Sequence, residues 1–199
     1  MRILGISGSP SGNGNTAYSV KYALGVVRDL GQEATYISLS DKKIGPCIGC
    51  FRCSGTGICW QADDMEGILE SMRTCDGILI GSPVYMGMVS GQLKMMMDRS
   101  VALRAEDNSV YPLAGIIGGA IACGNSRNGG QETTIQNIQT FMMQQNMLVI
   151  GDGPMFGHSG GTIMGSAKSD EWGLTTVRNL ATNMVSMIIG NKSSNTNQA

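Results

Sequence analysis

The sequence predicts an α/β protein: a doubly wound, five-stranded parallel sheet with helices on both faces and a cysteine-rich loop inserted after the second strand. Two observations predict it. Short apolar runs alternate with helix-period segments from one end of the chain to the other, as in strands buried on both faces and joined by helical crossovers. After the second apolar run this regularity stops for about twenty residues, and four of the six cysteines fall in the gap.

The first strand is expected over 2–7, around Ile3-Leu4-Gly5-Ile6. A Gly, Ser and Asn-rich loop then leads into a helix from Asn15, in which Ala17, Val20, Leu24 and Val27 recur at helical spacing and Gly31 closes the segment. The second strand falls over 33–39. Asp63-Asp64-Met65-Glu66 supplies an acidic helix start, with Met65, Ile68, Leu69 and Met72 on one face. The third strand spans 77–80 and ends in the turn sequence Gly81-Ser82-Pro83, before a helix over 90–103. A central fourth strand covers 113–122, although Gly118 and Gly119 weaken it. Gly129-Gly130 leads into a helix carrying Ile135, Ile138, Phe141 and Met142, and a last strand over 147–150 precedes a closing helix over 172–189. The chain is expected to form a single domain over 1–190, with 41–62 as a ligand-holding loop and 191–199 as a polar, disordered tail.

Composition narrows the function classes. A chain of 199 residues can bury one substantial core. Its formal net charge of -1, with acids and bases interspersed, provides neither a basic stripe for nucleic acid nor a polybasic segment for a membrane surface. No stretch approaches the ~18 to 20 apolar residues of a membrane span, and the N-terminal apolar run reads as a strand rather than a signal peptide. A soluble, cytoplasmic protein is expected, its cysteines reduced or metal-bound rather than paired.

In a doubly wound sheet, ligands bind outside the carboxyl ends of the strands. The first such loop, Gly8-Ser9-Pro10-Ser11-Gly12-Asn13-Gly14-Asn15-Thr16, runs straight into a helix N-terminus, where free N–H groups and the helix dipole suit a phosphate. It has no lysine, which disfavours a nucleotide triphosphatase P-loop. Gly12 to Ala17 matches the dinucleotide pattern G-x-G-x-x-A, with Glu33 suitably downstream, but Gly8-Ser9-Pro10-Ser11 separates that pattern from the strand, where a Rossmann turn would begin at once. The hydroxyl-rich loop fits a terminal monophosphate such as that of FMN, with Ser9, Ser11, Asn15, Thr16 and Ala17 as candidate contacts; it also reads as a plain Gly-rich turn with a helix cap. After the third strand, Pro83-Val84-Tyr85-Met86-Gly87 offers a ring and a turn to a flat ligand. After the fourth, Gly124, Ser126 and Gly129 offer flexible backbone and a hydroxyl. No residue is assigned a catalytic role, and His158, the one histidine, none at all.

Cys47, Cys50, Cys53 and Cys59 read C-x2-C-x2-C-x5-C, and the first three have the tight spacing that wraps corners of a 4Fe-4S cube. Gly49, Gly55 and Gly57 allow the run to curl. Zinc and a redox dithiol compete for these thiols, although structural zinc sites usually join two separate knuckles and a dithiol leaves two cysteines unexplained. Cys75 and Cys123 read as buried and unreactive.

Gly8-Ser9-Pro10 with Asn15-Thr16, then Pro83 to Gly87, then Leu93-Lys94 with Asp98-Arg99, resemble the NADPH-dependent FMN reductase branch of the flavodoxin-like superfamily. With the cysteine run and Ser126-Arg127-Asn128-Gly129-Gly130-Gln131-Glu132, the chain more narrowly resembles the iron-sulfur flavoproteins. Ser11 stands where relatives often carry a basic residue, so backbone N–H groups and the helix dipole must compensate the phosphate charge. The resemblance implies a flavodoxin-like fold, FMN and a 4Fe-4S cluster. It also implies a ferredoxin-like electron donor, small-molecule acceptors (quinones, nitro compounds, oxygen or peroxide) and a homodimer or homotetramer with the cluster of one subunit close to a neighbour's flavin. A cluster-free NAD(P)H-dependent FMN or quinone reductase is the alternative, and a non-catalytic flavin-binding redox sensor a third.

Overall fold

Strands β1 (Arg2–Ser7), β2 (Glu33–Ser38), β3 (Gly77–Pro83), β4 (Ile117–Gly124) and β5 (Leu148–Ile150) lie in the order β2-β1-β3-β4-β5, all parallel. The computed structural model describes residues 1–104 and 111–196. Helices α1 (Asn15–Asp29) and α5 (Glu171–Thr196) cover one face, while α2 (Met65–Arg73), α3 (Gly91–Arg99) and α4 (Gln131–Gln144) cover the other. Alternation along β1 feeds both layers: Ile3 packs with Val20, Leu24 and Leu180, whereas Leu4 and Ile6 pack with Met65, Ile68 and Leu93.

The sheet departs from the expected pattern in one important place. The strand over 147–150 is not the last, because β6 (Gly161–Met164) follows it. β5 pairs with the first half of β4, from Ile117 to Gly119, and β6 with the second half, from Ile121 to Gly124, both parallel. The fifth position in the sheet is therefore one strand split in two, with residues 151–160 looping out between its halves.

Three boundaries also shift. β3 continues through Gly81-Ser82-Pro83, because its ladder with β4 runs on to Pro83 opposite Cys123. The helix expected over 90–103 is α3 followed by a 3-10 turn, Ser100–Arg104, and β4 starts at Ile117 rather than at residue 113. The closing helix extends to Thr196, into the stretch expected to lack order; Gly190 costs a helix about 1 kcal/mol, and no proline stops it. Residues 197–199 of that expected tail lie outside the described residues.

The two glycines in β4 have a packing reason. A Cβ on Gly118 would stand 2.6 Å from Met142 Sδ, and one on Gly119 3.1 Å from Leu180 Cδ1, so α4 and α5 rest on bare backbone from opposite sides. Among the described residues, no helix is long and apolar enough to cross a membrane.

Candidate functional site

The sheet order reverses between β1 and β3, and this switch point is where an open α/β sheet forms a crevice at its carboxyl edge. The loops after β1, β3 and β4 therefore emerge side by side, and a set of hydrogen bonds fastens them to one another. Gly8 N–H donates to Gly81 O at 2.8 Å, and the Ser90 hydroxyl donates to Gly8 O while accepting from Leu93 N–H at 3.2 Å, so a single N-cap ties the first loop to α3. The Thr133 hydroxyl donates to Gly87 O at 2.7 Å and joins the second loop to α4. Gln131 braces the third loop from both ends of its amide: Nε2 donates to Ser126 O at 2.8 Å and Oε1 accepts from Gly129 N–H at 3.0 Å.

The first loop meets α1 at Gly14, an N-cap with no side-chain cap, and no acidic residue sits in the first turn. Helix geometry leaves the N–H groups of Asn15, Thr16 and Ala17 without carbonyl partners inside the helix, so they face the crevice as donors at the positive end of the dipole. The buried Ser9 accepts from Ser11 N–H at 3.0 Å, which holds the loop in a tight turn, and Ser11 itself is exposed. The side chain of Asn15 is already committed elsewhere. Its Nδ2 donates to Gly165 O at 2.7 Å and its Oδ1 accepts from Ala167 N–H at 2.9 Å, bracing the loop after β6, so what Asn15 offers a phosphate is its backbone N–H.

Tyr85 and Met88 bond to each other through both backbone groups, closing a two-residue turn with Met86 at φ 51° and Gly87 at φ 76°. The turn presents half-exposed Tyr85 and fully exposed Met86. Val84 N–H donates to Cys123 O at 2.9 Å and continues the sheet up to the turn. A Cβ on Gly130 would lie 2.8 Å from Gly87 Cα, so the second and third loops touch backbone to backbone.

The four cysteines of the run line one cavity of about 580 Å³, shared with Trp60, Gln61, Arg99 and Arg104. Gly49, Phe51, Gly55 and Gly57 have φ values of 63°, 56°, 79° and 67°, the repeated left-handed turns that curl the run as its glycines suggest. All the thiols are free. Among the described residues no three His, Cys, Asp or Glu side chains gather about a single point; the four thiols share the lining of the cavity. The Arg52 backbone N–H lowers the Cys50 thiol most, with help from Trp60, whose Nε1–H donates to Cys50 Sγ at 3.2 Å. Cys53 is pushed up, first by burial and then by repulsion from Cys59, Cys47 and Cys50.

One wall of the cavity carries a partly buried ion pair. Arg99 donates through Nη1 to Asp63 Oδ2 at 2.8 Å and to Gly45 O at 3.0 Å, and through Nη2 to Asp63 Oδ1 at 3.0 Å. Burial works against the Asp63 carboxylate, but the donors Arg99, Gly45 N–H and Met65 N–H outweigh it and hold the carboxyl below its usual range. The two remaining cysteines differ sharply from the run. Desolvation pushes Cys75 up to about 12 and Cys123 up to about 11; Cys123 is buried as expected, whereas Cys75 is partly exposed at the end of α2.

A family model described as NADPH-dependent FMN reductase matches residues 1–161. An iron-sulfur flavoprotein of Methanocaldococcus jannaschii is 47% identical over 94% of this chain and 97% of its own length. The chain belongs to the iron-sulfur flavoproteins of the NADPH-dependent FMN reductase family. It is accordingly an oxidoreductase of the FMN reductase family. A second iron-sulfur flavoprotein, from Methanosarcina thermophila, is 40% identical over 91% of this chain and 92% of that protein. The solved structure of a WrbA-like flavodoxin from Agrobacterium tumefaciens superposes with a TM-score of 0.66 at 18% identity, covering 95% of this chain and 97% of that one; at that identity the likeness bears on the fold.

Sequence reasoning reached the three loops and the cysteines but assigned no role to the residues that hold them. Ser90, Thr133 and the Arg99–Asp63 pair do that work, and of these only Ser90 carries a local signal, as a hydroxyl preceding a helix.

Proposed function

We propose that this iron-sulfur flavoprotein is an electron-transfer oxidoreductase. It couples a 4Fe-4S cluster on Cys47, Cys50, Cys53 and Cys59 to FMN held by the loops after β1, β3 and β4. The observation that carries this reading is the placement of all four thiols of the run around one cavity of about 580 Å³. Each iron of a cube takes one cysteine, so its ligands surround a volume instead of meeting at a point. The names of the relatives support the same reading.

The residues divide the work. The N–H groups of Asn15, Thr16 and Ala17 hold the FMN phosphate, with the dipole of α1 standing in for the basic residue that Ser11 replaces. Tyr85 would flank the flavin ring, and the backbone of the Tyr85–Met88 turn, closed by its two hydrogen bonds, would supply polar contacts to it. The N–H groups of Arg52 and Trp60 bond the Cys50 sulfur and favour its thiolate form. A cluster passes single electrons and a flavin one or two, so the two together join one-electron to two-electron chemistry. On this reading a ferredoxin-like protein is the donor, and quinones, nitro compounds, oxygen or peroxide are the acceptors. Ile48, Phe51, Ile58 and Trp60 are exposed around the cysteines, an apolar patch suited to burial by assembly into homodimers or a homotetramer.

An anaerobic redox titration followed by absorbance and EPR tests the proposal, together with iron and acid-labile sulfide analysis. The expected result is about four irons per chain and a four-iron signal that appears alongside flavin bleaching. Less than about one iron per chain would leave a cluster-free FMN or quinone reductase. Turnover with reduced ferredoxin compared with NADPH identifies the donor.

A further inference from the structure

We propose that Arg99 and Asp63 form a clasp that closes the cysteine loop at its neck and sets the reduction potential of the cluster, the guanidinium raising it and the carboxylate lowering it. This rests on the cluster reading above.

The clasp gathers three segments. Gly45 stands just ahead of Cys47 and Asp63 just beyond Cys59, so they mark the entrance and exit of the run. Gly45 N–H donates to Asp63 Oδ2 at 3.0 Å, and Arg99, reaching across from α3, donates to Gly45 O and to both carboxylate oxygens of Asp63. The loop is thus tied off by contacts that need no metal.

Arg99 also borders the cavity that the thiols line. Its side chain is 1% exposed, it lines the cysteine cavity, and its Nε–H is buried without a hydrogen-bond partner. Cys59 lines the same cavity and is an electrostatic neighbour of the guanidinium. A buried cation with an unspent donor beside a cavity ringed by thiols is matched by negative charge inside that cavity. One-electron reduction adds one negative charge to the cluster; the electron comes from the one-electron donor of the proposed function, and no proton need move. A positive charge held nearby stabilises the reduced form, and Asp63 offsets part of that field. Arg52 is exposed and its charge is screened by water, so Arg99 should exert the larger effect.

The test is an EPR-monitored redox titration of the full-length protein, purified anaerobically, with iron and FMN content measured for each variant. Arg99→Gln should lower the cluster potential and Asp63→Asn should raise it, each by a tenfold change in the one-electron equilibrium, which is about 59 mV. Arg99→Lys keeps the charge but loses the fork. It should hold its potential nearer the wild-type value while giving up iron faster to a chelator, because the neck is loosened. Arg52→Gln should shift the potential less than Arg99→Gln. If Arg99→Gln retains no iron, the redox role is decided by Asp63→Asn and Arg99→Lys: an upward shift in the first with little shift in the second supports it. Potentials that all move in one direction, or do not move, in iron-bearing variants overturn the redox role. A wild-type protein without iron overturns the cluster reading itself and the clasp's redox role with it, an outcome distinct from the preceding one.

Discussion

The three flavin loops and the cysteine loop are built on opposite plans. The loops after β1, β3 and β4 each grow from a central, fully paired strand and are fastened to their neighbours by Ser90, Thr133 and Gln131. The cysteine loop follows the edge strand β2, carries exposed Ile48, Phe51 and Ile58, and is tied mainly at its neck, by Arg99, Asp63 and Gly45. The first plan gives a cradle set by the fold before any ligand arrives. The second gives a purse whose mouth is fixed by the protein and whose interior is completed by what its four thiols bind. Such a division suits the two groups: a flavin is gripped through many weak contacts whose geometry must pre-exist, whereas thiolate bonds to metal are strong enough to order a short loop themselves.

If that contrast is right, damage to one region should spare the other. The largest expected effect is that of Cys53→Ser, the cysteine of the run that packs against the core. It should abolish stable iron binding while FMN content, read by absorbance, and the far-UV circular dichroism of the sheet stay at wild-type values. Loss of flavin together with iron would break the comparison, since it would mean that the cradle depends on the purse.

The converse substitution is Gly130→Ala. Gly130 has φ 102° and its missing Cβ would fall against Gly87, so an alanine carries backbone strain and forces the second and third loops apart. A cost of about 1–3 kcal/mol is expected for a side chain in such a conformation. If FMN binding absorbs it, affinity falls by roughly tenfold to a hundredfold, measurable by flavin fluorescence titration, with iron content unchanged. Ser90→Ala should act in the same direction but less strongly. It removes an N-cap of about 1 kcal/mol and the tether to Gly8, and should weaken flavin binding by several fold.

These two regions were not equally legible in the sequence. The cysteines announced themselves because a thiol spacing needs no tertiary context, and β1 and α1 could be delimited because an apolar run, a Gly-rich loop and Gly31 mark their ends. β3 was read short because Gly81-Ser82-Pro83 has the chemistry of a turn, yet pairing with β4 holds it as strand. β6 was missed because Gly160-Gly161-Thr162-Ile163-Met164 offers little local β signal; it is a strand because the second half of β4 would otherwise lack a partner on that side. The Arg99–Asp63 clasp spans 36 positions, and nothing in either segment alone pairs them. Locally encoded chemistry was thus visible, and long-range support was not.

The smallest functional effect is expected at the two cysteines that stand outside the comparison, and they sharpen it. Cys75 lies against the α2–β3 junction and donates to Met72 O at 3.2 Å, while Cys123 is buried in the sheet beside Ser19. Desolvation raises both thiols, to about 12 and about 11, so at pH 8 only roughly one in ten thousand and one in a thousand respectively is ionised, and Cys123 is in addition shielded by its burial. Cys50 is exposed and its thiol is lowered, first by the Arg52 backbone N–H, so at a given pH it carries more thiolate than Cys53, Cys75 or Cys123, all of which are raised. In iron-free protein, iodoacetamide followed by peptide mapping should therefore modify Cys50 first and Cys53, raised by burial and by its neighbours, more slowly. Cys123 should react only on unfolding, and Cys75, partly exposed but scarcely ionised, more slowly than Cys50. Cys50 should keep its lead over Cys53 as the pH falls from 8 to 6, because its thiol is lowered and that of Cys53 raised, so at each pH it is the more ionised of the two. Early modification of Cys123 would mean that β4 opens in the folded protein, and that the cradle is less fixed than its hydrogen bonds imply.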